Sequence, residues 1–229
     1  MNKRSAIVIT AMLCAFSAGA QEAVDADDTD DAYAHLEKGK SGFAETWVNP
    51  DADFSKYDSL YLWDAEFEYR DVGPASRTRS TMMNTRQREF GISEEDRRAF
   101  EDVVAKAFVK EIQRARNFRV SDELGPNALI MRGAVLDIVS NVPPEMIGRS
   151  ELYLATIGEA TLVLELIDAQ DGEVVAVVAE RRRIQSGSGR IDELSMPTNR
   201  ATVIAECRRW ASRSARKLRE ALDKAIADG

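Results

Sequence analysis

Residues 159–185, with the sequence EATLVLELIDAQDGEVVAVVAERRRIQ, contain the pattern from which the fold is predicted. Between Glu159 and Ile167, apolar residues at every second position alternate with mainly polar or β-branched ones, which is the period of a β-strand. The segment Asp168–Gly172 is rich in turn-forming residues, and a β-branched run then extends from Val174 to about Gln185. This order predicts a β-hairpin.

Three further segments on the N-terminal side of the hairpin are typical of strands. The run from Ala128 to Val142 is strongly apolar and ends at Pro143-Pro144, which breaks a strand. The segment 58–68 alternates and predicts the first strand, and 118–121 is a short, edge-like run. We leave the segment from Glu145 to Ile157 unassigned because its apolar residues follow no period.

Two segments carry the spacing of amphipathic helices. Ser93 precedes three acids and predicts a helix start, from which apolar residues recur every three or four positions as far as Ala115, with Asn117 as a stop. A second helix is predicted to begin near Thr198 or Asn199. Its apolar side contains Val203, Cys207, Trp210, Ala211, Ser214, Leu218, Leu222 and Ile226.

The order of these elements predicts an α+β fold of two layers. We expect a mainly antiparallel sheet of four to five strands with two long helices packed on one face. Residues 70–91 contain Gly73-Pro74 and no apolar period, so they are expected to form a long loop.

The first twenty residues are typical of a secretory signal peptide. Lys3 and Arg4 precede an apolar run from Ala6 to Phe16, and small residues follow up to Ala20, where cleavage is expected. The run is too short to span a bilayer. Cys14 is a poor lipid acceptor because the bulky Leu13 precedes it, so a lipid anchor is not expected. The leader predicts that the protein is exported, either to the periplasm or to the outer membrane.

The segment after the leader is strongly acidic. Six acids and no base lie between Glu22 and Asp31, which predicts a disordered tail over 21–46 followed by one domain over 47–229. The chain carries a formal charge of −8, and loss of Lys3 and Arg4 with the leader would take it to −10. This charge disfavours nucleic acid as a partner. The acids of 25–31 lack the spacing of an EF-hand loop, so we expect no metal there.

The sequence offers few groups for catalysis. The only histidine, His35, falls in the predicted tail, and Cys207 falls on the apolar side of the last helix, where burial as a small hydrophobe is favoured over a nucleophilic role. Asp64, Glu66 and Glu68 would share one strand face, either as a solvated surface or as paired carboxylates for acid–base chemistry. No phosphate-binding loop or metal motif is present, and we expect no cofactor.

Two groups of residues are candidates for interaction. Arginines cluster on the second hairpin strand and on the polar side of the last helix, where they either balance neighbouring acids or bind anionic groups. Apolar residues in the unassigned 145–157 segment form the other group. The candidate interaction residues are Arg181, Arg183, Arg209, Arg213, Arg216, Met146, Ile147 and Tyr153.

Several of these motifs, in this order, resemble the bacterial family called domain of unknown function 3313. They are Phe54-Ser-Lys-Tyr-Asp-Ser-Leu-Tyr, the capped helix from Ser93, the strand from Ile130 to Val139, and Ala169-Gln-Asp-Gly-Glu-Val-Val. The resemblance covers roughly 51–222. It implies an exported envelope protein, often a lipoprotein, with a small α+β domain and no established catalytic residues.

These observations favour a non-enzymatic periplasmic binding or interaction module whose partner is another envelope protein. Two alternatives remain open. One is a hydrolase or lyase that uses carboxylates such as Asp64 and Glu66 with an arginine. The other is peripheral contact with anionic membrane through the arginine-rich loop over 70–91 and the last helix, which the charge of −10 opposes.

Overall fold

The computed structural model describes residues 32–72, 89–143, 154, 156–185 and 198–229. In these ranges the chain forms eight strands and two long helices. The strands are β1 (Glu37–Lys38), β2 (Glu45–Val48), β3 (Ser59–Leu62), β4 (Glu66–Tyr69), β5 (Arg119–Ser121), β6 (Ala128–Ser140), β7 (Thr156–Asp168) and β8 (Val174–Gln185). The helices are α1 (Glu94–Ile112) and α2 (Arg200–Asp228).

The strands form one mixed sheet in the order β1-β2-β8-β7-β6-β3-β5, with β4 also paired to β6. The long strands β6, β7 and β8 pair antiparallel, β6 with β7 and β7 with β8. The predicted hairpin is formed by β7 and β8. The short strands β3 and β4 pair parallel to β6, and β5 pairs parallel to β3. The α+β class is confirmed, whereas the expected count of four to five strands is wrong.

The predicted run 118–121 corresponds to β5, whereas β1, β2 and the division of 58–68 were missed because the strands concerned are short. Each of β1 to β5 has two to four residues, which is too few for an alternating pattern to stand out. The segment 58–68, read as one strand, divides into β3 and β4. Leu60 of β3 lies beside Leu129, and Phe67 of β4 lies beside Val135, so both pieces follow the same long strand β6.

The two helices pack against each other and against one face of the sheet. Ser93 caps α1 by accepting a hydrogen bond from the Asp96 N–H, as predicted. Asn199 caps α2 in a reciprocal pair with Thr202. The predicted apolar side of α2 is buried against Leu162 and Leu164 of β7 in the main hydrophobic core.

Helix α1 ends at Ile112, before the predicted stop at Asn117. The N–H groups of Arg116 and Asn117 donate to the Asp223 carboxylate of α2, at 2.9 Å and 3.0 Å, instead of extending the helix. The carboxylate therefore fixes the end of one helix against the side of the other.

The ordered chain begins earlier than the predicted boundary at Trp47. Residues 37–38 and 45–46, assigned to the disordered tail, lie in β1 and β2 of the sheet. Tyr33 and Leu36 pack on the face opposite the helices, beside Trp47 and Val163. The acidic residues 22–31 and the predicted leader lie outside the described residues.

Candidate functional site

A cavity of about 280 Å³ lies where the first turns of both helices meet the end of the sheet. Its walls come from the N-terminal halves of α1 and α2, the end of β6, the start of β7 and the end of β8. Most of the lining side chains are apolar. They include Ile92, Phe100, Val103, Ile138, Val142, Ile157, Ile184, Val203 and Ile204. We call this space the helix–sheet cavity.

The polar groups of the helix–sheet cavity lie at the beginnings of the helices. Arg200 of α2 pairs with Glu95 at 2.7 Å and with Asp96 at 3.6 Å, and both acids belong to α1. Asp96 and Arg200 line the cavity, as do the capping residues Ser93 and Asn199. These ion pairs hold the two helix starts together beside the cavity.

Gly158 allows β6 and β7 to approach closely at the cavity wall. A Cβ atom at this position would lie 2.5 Å from the carbonyl oxygen of Val139, which is far closer than van der Waals contact. The pairing of β6 with β7 changes register between Leu136 and Val139, and the pairing of β7 with β8 changes register between Thr156 and Gly158. Only glycine fits without displacing one strand.

Cys207 lines the helix–sheet cavity and is buried. Burial, with a smaller effect from the negative charge of Glu206, raises the pKa of its thiol to about 12. The thiol is therefore protonated at neutral pH and is a poor nucleophile. The prediction that Cys207 is a buried hydrophobe is confirmed.

A second cavity, of about 330 Å³, lies between the end of β8 and the polar side of α2. It is lined by Arg181, Arg182, Arg183, Ile184, Glu206, Trp210 and Arg213, and we call it the arginine cleft. Strand β2 pairs with β8 only as far as Ala179, which lies opposite Glu45. The three arginines 181–183 come after Ala179, in the part of β8 that does not pair with β2. Ile184 lines both cavities, which makes them neighbours.

The arginine cleft brings together three of the residues predicted for interaction, Arg181, Arg183 and Arg213. Arg181 is paired with Asp137 at 2.6 Å and with Glu159 at 3.6 Å. Arg183 and Arg213 are exposed and form no ion pair with another residue of the described ranges. They are the cationic groups of the cleft that the described acids leave available.

The remaining candidates lie elsewhere. Arg209 pairs with Glu206 at 2.7 Å and Arg216 with Glu111 at 3.4 Å, so both balance acids near α2. Met146, Ile147 and Tyr153 lie outside the described residues. By chain position they belong to the connection between β6 and β7, whose described ends, Val142 and Ile157, line the helix–sheet cavity.

The structure also contains an ion-pair network that sequence reasoning missed. Asp137 adopts a left-handed backbone, with φ of 55°, at the irregularity in β6. Its two carboxylate oxygens accept from Arg70 at 2.6 Å each, and Arg70 also pairs with Glu89. These hydrogen bonds hold the pKa of Asp137 down at about 2. Arg70 and Glu89 flank 73–88, so the network fixes both ends of that connection. In the sequence, the one sign of this network was a single acid, Asp137, within the apolar run of β6.

A buried carboxylate lies on the opposite face of the sheet. Glu165 of β7 is fully buried, accepts a hydrogen bond from the Tyr33 phenol at 2.7 Å and pairs with Arg132 at 2.5 Å. Its position in the alternating hairpin predicted that face, but its two partners could not be inferred from the sequence.

The carboxylates considered for acid–base chemistry do not form a site. Asp64 and Glu68 are exposed, Glu66 is half-buried, and none of the three lines the helix–sheet cavity or the arginine cleft. His35, expected in the disordered tail, instead lies 2.8 Å from the carbonyl oxygen of Val174 and 3.3 Å from Glu173. Within the described ranges, no group of three potential metal ligands comes together.

No helix in the described part of the chain is long and apolar enough to cross a membrane. Together, the fold and its cavities define an α+β domain with two helices on a mixed sheet and a cavity between the layers. The chain belongs to the family described as protein of unknown function (DUF3313), whose model matches residues 26–213. The resemblance drawn from the sequence is thereby confirmed. No curated protein sequence matches the chain.

The chain is similar to several solved structures at low identity. Protein XCC0632 from Xanthomonas campestris is 11% identical, with a TM-score of 0.41, over 79% of this chain and 93% of that chain. A PelC dodecamer from Paraburkholderia phytofirmans is 11% identical, with a TM-score of 0.34, over 80% and 96%. A homologue of the neuraminyllactose-binding hemagglutinin from Helicobacter pylori is 13% identical, with a TM-score of 0.32, over 74% and 82%.

Proposed function

We propose that this chain is an exported, non-enzymatic binding module of the bacterial cell envelope, which takes up an apolar chain from another envelope component. The observation that carries the proposal is the helix–sheet cavity, because it is apolar and lies between secondary-structure elements. Its volume of about 280 Å³ is near the lower end of the range for ligand sites.

The chemistry of the cavity favours binding over reaction. Its described charged groups, Asp96 and Arg200, are engaged near the helix starts, and its thiol is protonated at neutral pH. An apolar chain would gain dispersion contacts with the walls that an unfilled cavity lacks. Binding would therefore be driven by burial of apolar surface.

Export is supported by the predicted leader at 1–20. The position of Leu13 before Cys14 speaks against a lipid anchor. We propose that the protein acts in the periplasm or at the outer membrane, where acyl chains and apolar protein segments are both present.

A fluorescence assay tests the cavity directly. N-phenyl-1-naphthylamine is a neutral probe whose emission rises in apolar surroundings. Ala99 lines the cavity, so Ala99→Phe fills part of it, whereas Ala105 lies exposed on the same helix and gives Ala105→Phe as the matched control. We expect the wild type and A105F to enhance the emission and A99F to lose most of the enhancement. Equal binding by all three proteins would contradict the proposal.

The partner is expected to be another envelope protein, and crosslinking tests this expectation. The protein is crosslinked in the periplasm of its host, purified, and compared with A99F and A105F by mass spectrometry. Enrichment of one envelope protein by the wild type and A105F, but not by A99F, would identify a protein partner that uses the cavity. Identical profiles from all three baits would rule out a protein that inserts there.

A further inference from the structure

We infer that the arginine cleft binds the anionic headgroup of an amphiphile, a phosphate or carboxylate, while the apolar chain of the same molecule occupies the helix–sheet cavity. This inference rests on the proposed function, because it assigns a chemical class to the occupant of the cavity. Its basis is the position of the two spaces and the charges of the cleft.

The two spaces are neighbours in the fold. Ile184 lines both of them, and the consecutive residues Glu206 and Cys207 line the cleft and the cavity respectively. Phe100 of the cavity stacks on Trp210 of the cleft, with ring centroids 6.4 Å apart. An amphiphile with its chain beside Phe100 therefore needs only a short path to place its headgroup near the arginines.

The cleft carries an excess of positive charge. Four of its lining residues are arginines, and its one acid, Glu206, is paired with Arg209. Arg181 and Arg182 are held by Asp137 and Glu180. Arg213 of α2 makes no ion pair within the described ranges, so it can engage a ligand without breaking a described ion pair. Arg183 also makes none, but strand alternation places it on the face of β8 opposite to Ile184, so it reaches the cleft at the edge of the strand.

Guanidinium groups suit a phosphate or carboxylate because two parallel N–H donors match two oxygens. Trp210 also lines the cleft, and its indole N–H is buried and has no acceptor among the described residues. The site therefore offers donors and no uncompensated carboxylate, which favours an anion and disfavours a cationic or zwitterionic headgroup.

The test uses three probes with the purified protein: decyl phosphate below its critical micelle concentration, 1-decanol, and inorganic phosphate. Binding is measured by calorimetry for the wild type and for the double variant Arg183→Gln/Arg213→Gln. Arg208→Gln is the matched control, because Arg208 is an exposed arginine of α2 that does not line the cleft. A99F reports on the cavity.

We expect decyl phosphate to bind the wild type at least tenfold more tightly than 1-decanol. The double variant should lose about tenfold in affinity for decyl phosphate, the equivalent of roughly one charge-assisted hydrogen bond. Its affinity for 1-decanol should not change, and R208Q should bind both probes as the wild type does. A99F should weaken both decyl compounds.

The outcomes separate the two proposals. If 1-decanol binds and A99F blocks it, but the double variant binds decyl phosphate as the wild type does, this inference fails and the proposed function stands. If inorganic phosphate binds as tightly as decyl phosphate, the cleft is a site for free phosphate and the amphiphile is ruled out. If neither decyl compound binds the wild type, the proposed function fails and this inference fails with it.

Discussion

The phenol of Tyr33 donates a hydrogen bond to the fully buried carboxylate of Glu165 across 132 residues of sequence, at 2.7 Å. This contact joins the segment before β1 to the middle of β7. Arg132 of β6 pairs with the same carboxylate at 2.5 Å. The segment 32–46 is therefore part of the folded domain rather than a tail attached to it.

Removing the phenol of Tyr33 should destabilise the domain. Tyr33→Phe leaves one oxygen of a buried carboxylate without its donor, which should lower the free energy of unfolding by about 2 kcal/mol. Urea denaturation measures the change. Tyr61→Phe is the control, because the Tyr61 phenol forms no hydrogen bond with another described residue. Equal stability of the two variants would show that the segment 32–46 contributes nothing through this contact.

The network around Asp137 should make the stability of the protein depend on acid. Arg70 holds the pKa of Asp137 at about 2, compared with 3.8 for an ordinary aspartate. A carboxyl group whose pKa is lower in the folded state than in the unfolded state stabilises the fold at pH values above its unfolded-state pKa. This stabilisation is lost as the pH falls through the folded-state pKa. The stabilisation should therefore disappear between about pH 4 and pH 2.

The Asp137→Asn variant isolates this contribution. Asparagine tolerates the left-handed backbone that φ of 55° requires, so the substitution removes the charge and keeps the conformation. Because the Asp137 side chain is partly exposed, we expect a loss of about 1 kcal/mol at pH 7. The loss should shrink towards pH 2 in urea melts. Asp102→Asn, an exposed helix position, is the control, and a pH-independent difference for D137N would refute the argument.

The long elements could be predicted because their patterns persist over many residues. Strands β6, β7 and β8 have twelve or thirteen residues each, and α2 has 29, so their periods of two and 3.6 are unmistakable. The short strands beside β6 and β8 could not be recognised in the same way, because they are defined by pairing with residues far away in the sequence. The acidic composition of 22–31 also concealed the neighbouring Tyr33 and His35, whose contacts are with β7 and the turn into β8.

The candidate site could be predicted only in part. The arginines of β8 and α2 stand out because each group is close together in the sequence, and the fold brings Arg183 and Arg213 to one cleft. The helix–sheet cavity takes its walls from residues 91–103, 138–142, 157–158, 184 and 199–207. Apolar residues that line a cavity have the same local spacing as apolar residues that fill a core, so no sequence pattern separates them.

The thiol of Cys207 should be unreactive in the folded protein. Its pKa of about 12 leaves almost no thiolate at pH 8, and burial restricts access. We expect the native protein to react with Ellman's reagent at least about a hundredfold more slowly than the unfolded protein in guanidinium chloride. Cys14→Ser removes any contribution from the leader. Rapid reaction of the folded protein would return Cys207 to the list of candidate nucleophiles.

Gly158 provides a test of how the cavity wall is built. A methyl group there would lie 2.5 Å from the Val139 carbonyl oxygen, and because the neighbour is backbone rather than a flexible side chain, a strand must move. Gly158→Ala should therefore lower the free energy of unfolding by about 2 kcal/mol. Gly125→Ala is the matched control: a Cβ atom there meets nothing within 4 Å, so its effect should lie between zero and a small stabilisation. If both variants unfold at the urea concentration of the wild type, β6 and β7 can separate at this point without cost, and the wall of the cavity is adjustable rather than fixed.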